Sequence, residues 1–171
     1  FRATASHNTI QINGWEQCQF ERDRSHVFQL HNDTQTVVEK YSRQSDNSTF
    51  VGTHTGFSRL RADMRCKRSL SLTPGKLTIT DEVTNLKPND KVVIRYHLDP
   101  EVEVQVSDNE ARFTNDGESV TVHWADELCG TVERVRHSRA YGEWEDAQTL
   151  KISTTIRQDG DGQFIVKFFW T

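Results

Sequence analysis

The stretch Lys91–Leu98, KVVIRYHL, followed at Glu101–Val106 by EVEVQV, decides the fold. In the first, Val92, Ile94, Tyr96 and Leu98 fall at every second position. In the second, Val102, Val104 and Val106 alternate with Glu101, Glu103 and Gln105. A period of two puts all apolar residues on one side of an extended chain and leaves the other side to water. That is the pattern of an antiparallel strand with one covered face.

The same period extends outward in both directions. SVTVHW carries Val120, Val122 and Trp124, while SLSLT and KLTIT carry Leu70, Leu72, Leu77 and Ile79. Turn residues separate the runs: Pro74-Gly75, Asn89-Asp90, Asn115-Asp116-Gly117 and Asp159-Gly160-Asp161-Gly162. Asn, Asp and Gly tolerate the positive φ of tight turns. Such signals recur about every ten residues, the spacing of a sandwich or barrel. EWEDAQTL at 143–150 has room for one helical turn before alternation resumes at Leu150 and Ile152. No segment holds a sustained helical stripe. The expectation is an all-β fold: a large antiparallel two-sheet β-sandwich of roughly a dozen strands, with little or no helix, as a single domain over residues 1–171.

Composition agrees. The 171 residues are 34% hydrophobic and 27% charged, with a formal net charge of -4 and a mean hydropathy of -0.73. A chain of this length buries roughly 70% of its unfolded surface. The acidic balance argues against a nucleic-acid-binding domain, whose footprint is basic. No apolar run is long enough for a membrane span. Cys18, Cys66 and Cys129 form no CxxC pair and no even-numbered framework. They read as buried free thiols, with a single bridge as the alternative. Asn32-Asp33-Thr34 and Asn47-Ser48-Thr49 match a glycosylation acceptor and read as turns.

None of the seven histidines forms an HxH or HxxxH pair, so no one segment is a metal site. His97 and His123 alternate with apolar neighbours and read as polar-face residues; His26 and His31 flank VFQL. His54 lies in GTHTGF, where two glycines break the alternation. A His and an aromatic on a loop suit sugar binding; the plainer alternative is a turn anchored by Phe57. RLRADMRCKR holds Arg59, Arg61, Arg65, Lys67 and Arg68 against Asp63 alone. That cluster can hold carboxylates or sulfates, or it can be the solvated face of strands guarding an edge. Arg134, Arg136, His137 and Arg139 make a weaker basic cluster. Tyr141 has a hydroxyl suited in principle to acid–base work, but nothing near it in sequence would lower its pKa, and Gly142 marks a turn.

The opening segment, FRATASHNTIQINGWEQ, resembles the start of the C-terminal β-sandwich half of the heparinase II/III family of polysaccharide lyases. Arg2, Thr4, His7, Asn8, Thr9, Ile10, Ile12, Asn13, Gly14 and Gln17 carry the match. Weaker likenesses follow in HTGFSRL, in RCKRSLSL with KLTITDEV and its Asp81, and in SRAYGEWEDAQTL. In YHLDPEVEV, Asp99 stands where a His is frequent in the family.

The resemblance implies a lyase supersandwich and a longer protein, with an N-terminal α-helical toroid preceding this chain. It implies cleavage of uronic-acid-containing polysaccharide by β-elimination. That reaction needs a neutralised carboxylate, a base for the α proton and an acid for the leaving oxygen. In the family the base and acid come largely from the helical half, so this chain alone is expected to be inactive. The resemblance also implies zinc, with His7 as one ligand and the others upstream; a tetrahedral site needs about four. Arg2, Asn8, Gln17 and His54 are carried as substrate-binding neighbours. The implied partners are an acidic polysaccharide and the helical domain, in a periplasmic or secreted setting. A second hypothesis is a non-catalytic carbohydrate-binding or scaffolding domain with the same fold. A third is an unrelated extracellular sandwich.

Overall fold

A computed structural model describes residues 2–20 and 29–171. His26 and the first two residues of VFQL therefore lie outside the described residues. A single 3₁₀ turn, Thr4–Ser6, precedes twelve strands: β1 (Ile10–Ile12), β2 (Val37–Arg43), β3 (Ser48–His54), β4 (Cys66–Thr73), β5 (Lys76–Leu86), β6 (Lys91–His97), β7 (Glu103–Ser107), β8 (Glu110–Asn115), β9 (Glu118–Trp124), β10 (Cys129–His137), β11 (Glu145–Thr155) and β12 (Gly160–Phe169). No helix among the described residues is long and apolar enough to cross a membrane.

The strands form two antiparallel sheets. One has four strands in the order β1-β6-β11-β10, the other eight in the order β2-β3-β4-β5-β12-β9-β8-β7. The all-β expectation holds, but the sheets are unequal. The larger one overhangs the smaller at β2, which is exposed along almost its whole length. The helical turn allowed at 143–150 is absent. Ala147, Leu150 and Ile152 are buried along β11, which pairs on both sides with β10 and β6. Two ladders of hydrogen bonds outweigh one helical turn.

Alternation sets the register. Phe50, Leu70, Ile79, Val166 and Trp124 stand side by side across β3, β4, β5, β12 and β9 and point inward. Ile10, Ile94 and Ile152 form the facing row in the smaller sheet. Burying each such aliphatic side chain is worth about 1.5–3 kcal/mol. Two contacts tie the sheets together. Tyr96 meets Phe168 edge to face at 5.1 Å, and Gly130 of β10 lies against the Trp124 indole, leaving no room for a Cβ. Turn chemistry is as the sequence implies. Gly75, Asn89, Asp116 and Gly117 all have positive φ.

All three cysteines are free. Cys66 is buried as expected, but Cys129, at the start of the edge strand β10, is exposed.

Candidate functional site

The opening segment is a knot of hydrogen bonds, and its wiring separates structural residues from the one left open. Thr4 is buried; its N–H donates to Glu16 Oε2 at 2.6 Å, and its hydroxyl accepts from the Gln17 N–H at 2.8 Å. Gln17 Nε2 donates to Thr9 Oγ1 at 3.0 Å and to the Ile10 carbonyl at 3.1 Å. Asn13 and Gly14, both at positive φ, turn the chain back. The Asn13 side chain then fastens the turn to Asp90 and to the Lys91 N–H, each at 2.7 Å.

Asn8 joins the sheets. Its Oδ1 accepts from the His97 N–H at 2.7 Å, and its carbonyl accepts from Arg68 Nη1. Arg68 comes from the opposite sheet and meets Asp81 through two parallel bonds of 2.7 Å. His7 thus has a fixed backbone on both sides. Its N–H donates to the Thr4 carbonyl, and its own carbonyl accepts from Thr9 at 2.8 Å. Its ring is exposed and has no hydrogen bond or ion pair among the described residues.

Beside this turn lies a cleft of about 590 Å³, lined by Ala5, Ser6, His97, Arg136 and His137 among others. His97 alternates with the core residue Tyr96, so it faces away from the core. Both its ring nitrogens are occupied. Nε2 pairs with the Ala5 carbonyl at 3.1 Å and Nδ1 with the Thr149 hydroxyl at 2.6 Å. The carbonyl can only accept, so Nε2 carries the proton and Nδ1 accepts from Thr149. Burial pushes the His97 pKa down; the Ala5 contact opposes this, and the nearby Arg95, His7 and His137 add to it. His97 is therefore a neutral wall of the cleft, held in one orientation.

The other sequence candidates fall elsewhere. Arg2 donates to the Gln29 carbonyl at 3.4 Å and lies over the Phe20 ring at 4.8 Å. Gln17 spends its amide inside the knot. His54 is the last residue of β3 rather than a loop residue, and its Nδ1 accepts from the Gly56 N–H at 3.2 Å. It lines a second pocket of about 250 Å³ with Thr9, Arg68, Asp81, Cys66 and Phe50, distinct from the cleft lined by His97 and His137. Burial, more than any charge, lowers its pKa. Phe57 is core, as the turn-anchor alternative requires.

The basic cluster is mostly neutralised by acids distant in sequence. Arg59 pairs with Asp33 at 3.5 Å, Arg61 with Asp90 at 2.9 Å, Lys67 with Glu82 at 2.8 Å and Arg68 with Asp81. In the second cluster, Arg139 binds Asp99 and Glu145, and Arg136 stacks on Trp144 at 3.8 Å. Tyr141 is fully exposed. Sequence reasoning read His97 only as a polar-face strand residue and His137 only as part of a weak basic cluster, because only the sheet register brings the two strand ends to one cleft beside the Thr4–Ser6 turn.

A family model described as heparinase II/III-like, C-terminal, matches residues 1–166. The chain belongs to that family. Among solved structures, this heparinase II/III-like domain is similar to heparan sulfate lyase HepC from Pedobacter heparinus, at 10% identity and a TM-score of 0.74, over 96% of this chain and 24% of that one. It is similar to the heparinase III BT4657 gene product at 16% identity and a TM-score of 0.75, over 99% of this chain and 24% of that one. A further heparinase III structure matches at 12% identity and a TM-score of 0.74. At these identities the likeness is one of fold. The chain spans about a quarter of the length of these proteins, 24% in each. No significant match to a curated protein was found.

Among the described residues, no group of three or more His, Cys, Asp or Glu side chains is placed to hold a metal ion. His97 has no free lone pair, which leaves His7 as the open imidazole of the motif. The described residues do not close a zinc shell by themselves, so no chemical step is derived through one.

Proposed function

We propose that this heparinase II/III-like domain is part of a longer, periplasmic or secreted lyase that cleaves uronic-acid-containing polysaccharide by β-elimination. The observation that carries the reading is the state of the motif inside a chain matched by the family over residues 1–166. Its hydrogen-bonding residues Thr4, Asn8, Thr9, Asn13 and Gln17 hold one another or the two sheets. His7 alone among them presents an unengaged ring beside a cleft.

In β-elimination the C5–H bond of the uronate breaks, the C4–O bond breaks, and a C4=C5 double bond forms; the abstracted proton is balanced by one delivered to the leaving oxygen. In this proposal the base and the acid belong to a preceding helical domain. This chain supplies the wall of the cleft, with His97 neutral and fixed and His7 at the edge. His7 would serve as one donor to a zinc ion whose remaining ligands lie outside the described residues. The runner-up is a carbohydrate-binding domain of the same fold without catalysis.

The deciding experiment uses the longer protein that contains this chain. Unsaturated uronate absorbance is followed on acidic polysaccharides, and metal content is measured in wild type and His7→Ala. The reading expects product from the wild type, and loss of both product and about one equivalent of zinc in the variant. Binding without product would move the assignment to the runner-up. Unchanged zinc would remove His7 from the ligand set.

A further inference from the structure

We infer that the outer face of the eight-stranded sheet is a second binding surface for acidic polysaccharide, remote from the His7 cleft. The inference rests on the proposed substrate class and adds a place where the polymer is held without being cut.

The strand register defines this face. Ile79, Val166 and Val122 point into the core, so their neighbours along each strand point out. One outward row runs across four strands: Lys76, Phe169, Thr121 and Arg112. The next runs Ser71, Thr78, Lys167 and His123. Strands lie about 4.8 Å apart, so Lys76 and Arg112 are separated by about 14 Å across the sheet. The result is a broad, twisted surface of hydroxyls with cations at intervals.

Three cations on this face have no ion pair among the described residues. Lys167 has no ion pair among the described residues. The Lys76 ammonium lies 5.6 Å from the Phe169 ring centre and reaches no carboxylate. Arg112 has only a hydrogen bond to Ser119 Oγ at 3.4 Å. The acids on this face include Glu110, paired with His123 at 3.5 Å, Glu82, paired with Lys67 at 2.8 Å, and Glu103 on the edge strand β7. This basic strip stands out on a chain of net charge -4. A local field of that sign collects anions that approach across the sheet.

The chemistry selects among anions. Phe169 offers an apolar patch to the C–H face of a sugar ring, and its edge contact with His123 at 5.5 Å fixes its tilt. The Ser and Thr hydroxyls both donate and accept, as sugar hydroxyls do. Carboxylates or sulfates repeated along a glycan can meet Lys76, Lys167 and Arg112 in turn. Nucleic acid shares the charge but is disfavoured by the chain's acidic balance. The surface is separate from the proposed reaction site. His97 faces out from the smaller sheet, on the opposite side of the sandwich.

The test is salt-dependent binding of the 171-residue chain to heparin, alginate, neutral dextran and a short DNA duplex. The chain is compared with a Lys76→Gln/Lys167→Gln/Arg112→Gln variant and with His7→Ala. Circular dichroism checks that both remain folded. The expected result is binding to heparin or alginate but not dextran, about tenfold weaker in the triple variant and unchanged in His7→Ala. Equal binding by wild type and triple variant, binding to neither acidic polymer, or DNA binding as tight as glycan binding and equally lost in the variant would each overturn it. In the longer protein, the triple variant should raise KM for long polymer while sparing kcat on short oligosaccharides. Loss of turnover in His7→Ala alone bears on the proposed reaction and leaves this surface standing.

Discussion

Arg68 and Asp81 meet inside the sandwich through two parallel hydrogen bonds of 2.7 Å, and the third guanidinium nitrogen holds the carbonyl of Asn8, in the bend that leads into β1 of the opposite sheet. One buried ion pair therefore fixes the backbone next to His7. The Asp81 side chain is only 4% exposed, so removing the arginine strands a carboxylate out of water. Arg68→Ala should lose about 3–5 kcal/mol in urea denaturation. Replacing both partners, as Arg68→Met with Asp81→Leu, should lose clearly less. Amide exchange at His7 and Asn8 should quicken in both. A double variant as unstable as the single one would show that the pair's charge balance is not what matters.

His97 and His54 give the domain a mildly acidic weak point. Both have pKa values pushed below the ordinary 6.5, chiefly by burial. The folded state then binds fewer protons on these rings than the unfolded chain does. Stability should be level above pH 6.5 and should fall as pH drops from there toward the folded-state values. Asp90 acts in a lower window. Its burial works against ionisation, but hydrogen bonds from Arg61, the Lys87 N–H and Asn13 prevail and hold its pKa below the ordinary 3.8. Its contribution is lost only as pH falls through that lower folded value. Tm measured against pH should show two separate declines. His97→Gln should flatten the upper one and leave the lower; an unchanged upper decline would clear His97 of the effect.

Much of this was legible in the sequence, for a physical reason. Alternation in Lys91–Leu98 reports directly which side chains meet the core, so strands and their inward faces could be read without a partner strand. Sheet membership could not. Nothing local tells Val37 and Val38 that the smaller sheet stops short of them, and both are exposed. The arginine-rich stretch misled for the same reason. Its charges are answered by Asp33, Asp81, Glu82 and Asp90, which only folding brings near. The motif around His7 was visible as spacing. Its division into knot residues and one open ring needed the hydrogen bonds. His97 and His137 line one cleft because β6 and β10 flank β11, which sets His97 opposite Thr149 and His137 opposite Glu145, a property of register alone.

The thiols should react in a fixed order. Burial pushes the Cys66 pKa up to about 12, so at neutral pH it holds almost no thiolate. Cys129 is exposed on an edge strand and Cys18 is half-buried. Native protein treated with iodoacetamide should label first at Cys129, then at Cys18, and at Cys66 only after denaturation. Peptide mass mapping gives the order. Early labelling of Cys66 would mean that the core around it opens.

The contact of Gly130 with the Trp124 indole offers a packing test. A Cβ built on Gly130 would fall inside the Trp124 indole, and Trp124 is itself only 4% exposed. Gly130→Ala must therefore move a large ring in a packed interior, at a cost of about 1–3 kcal/mol. Gly117→Ala makes the contrast. There φ is +83 and nothing lies within 4 Å of the added carbon, so the cost is backbone strain of about 1 kcal/mol with no repacking. Tryptophan emission separates the two. Gly130→Ala should shift the Trp124 signal, assigned by its loss in Trp124→Phe, while Gly117→Ala should leave it in place. If Gly130→Ala were as stable as wild type with unshifted emission, β10 would have to lie farther from β9 than this packing places it.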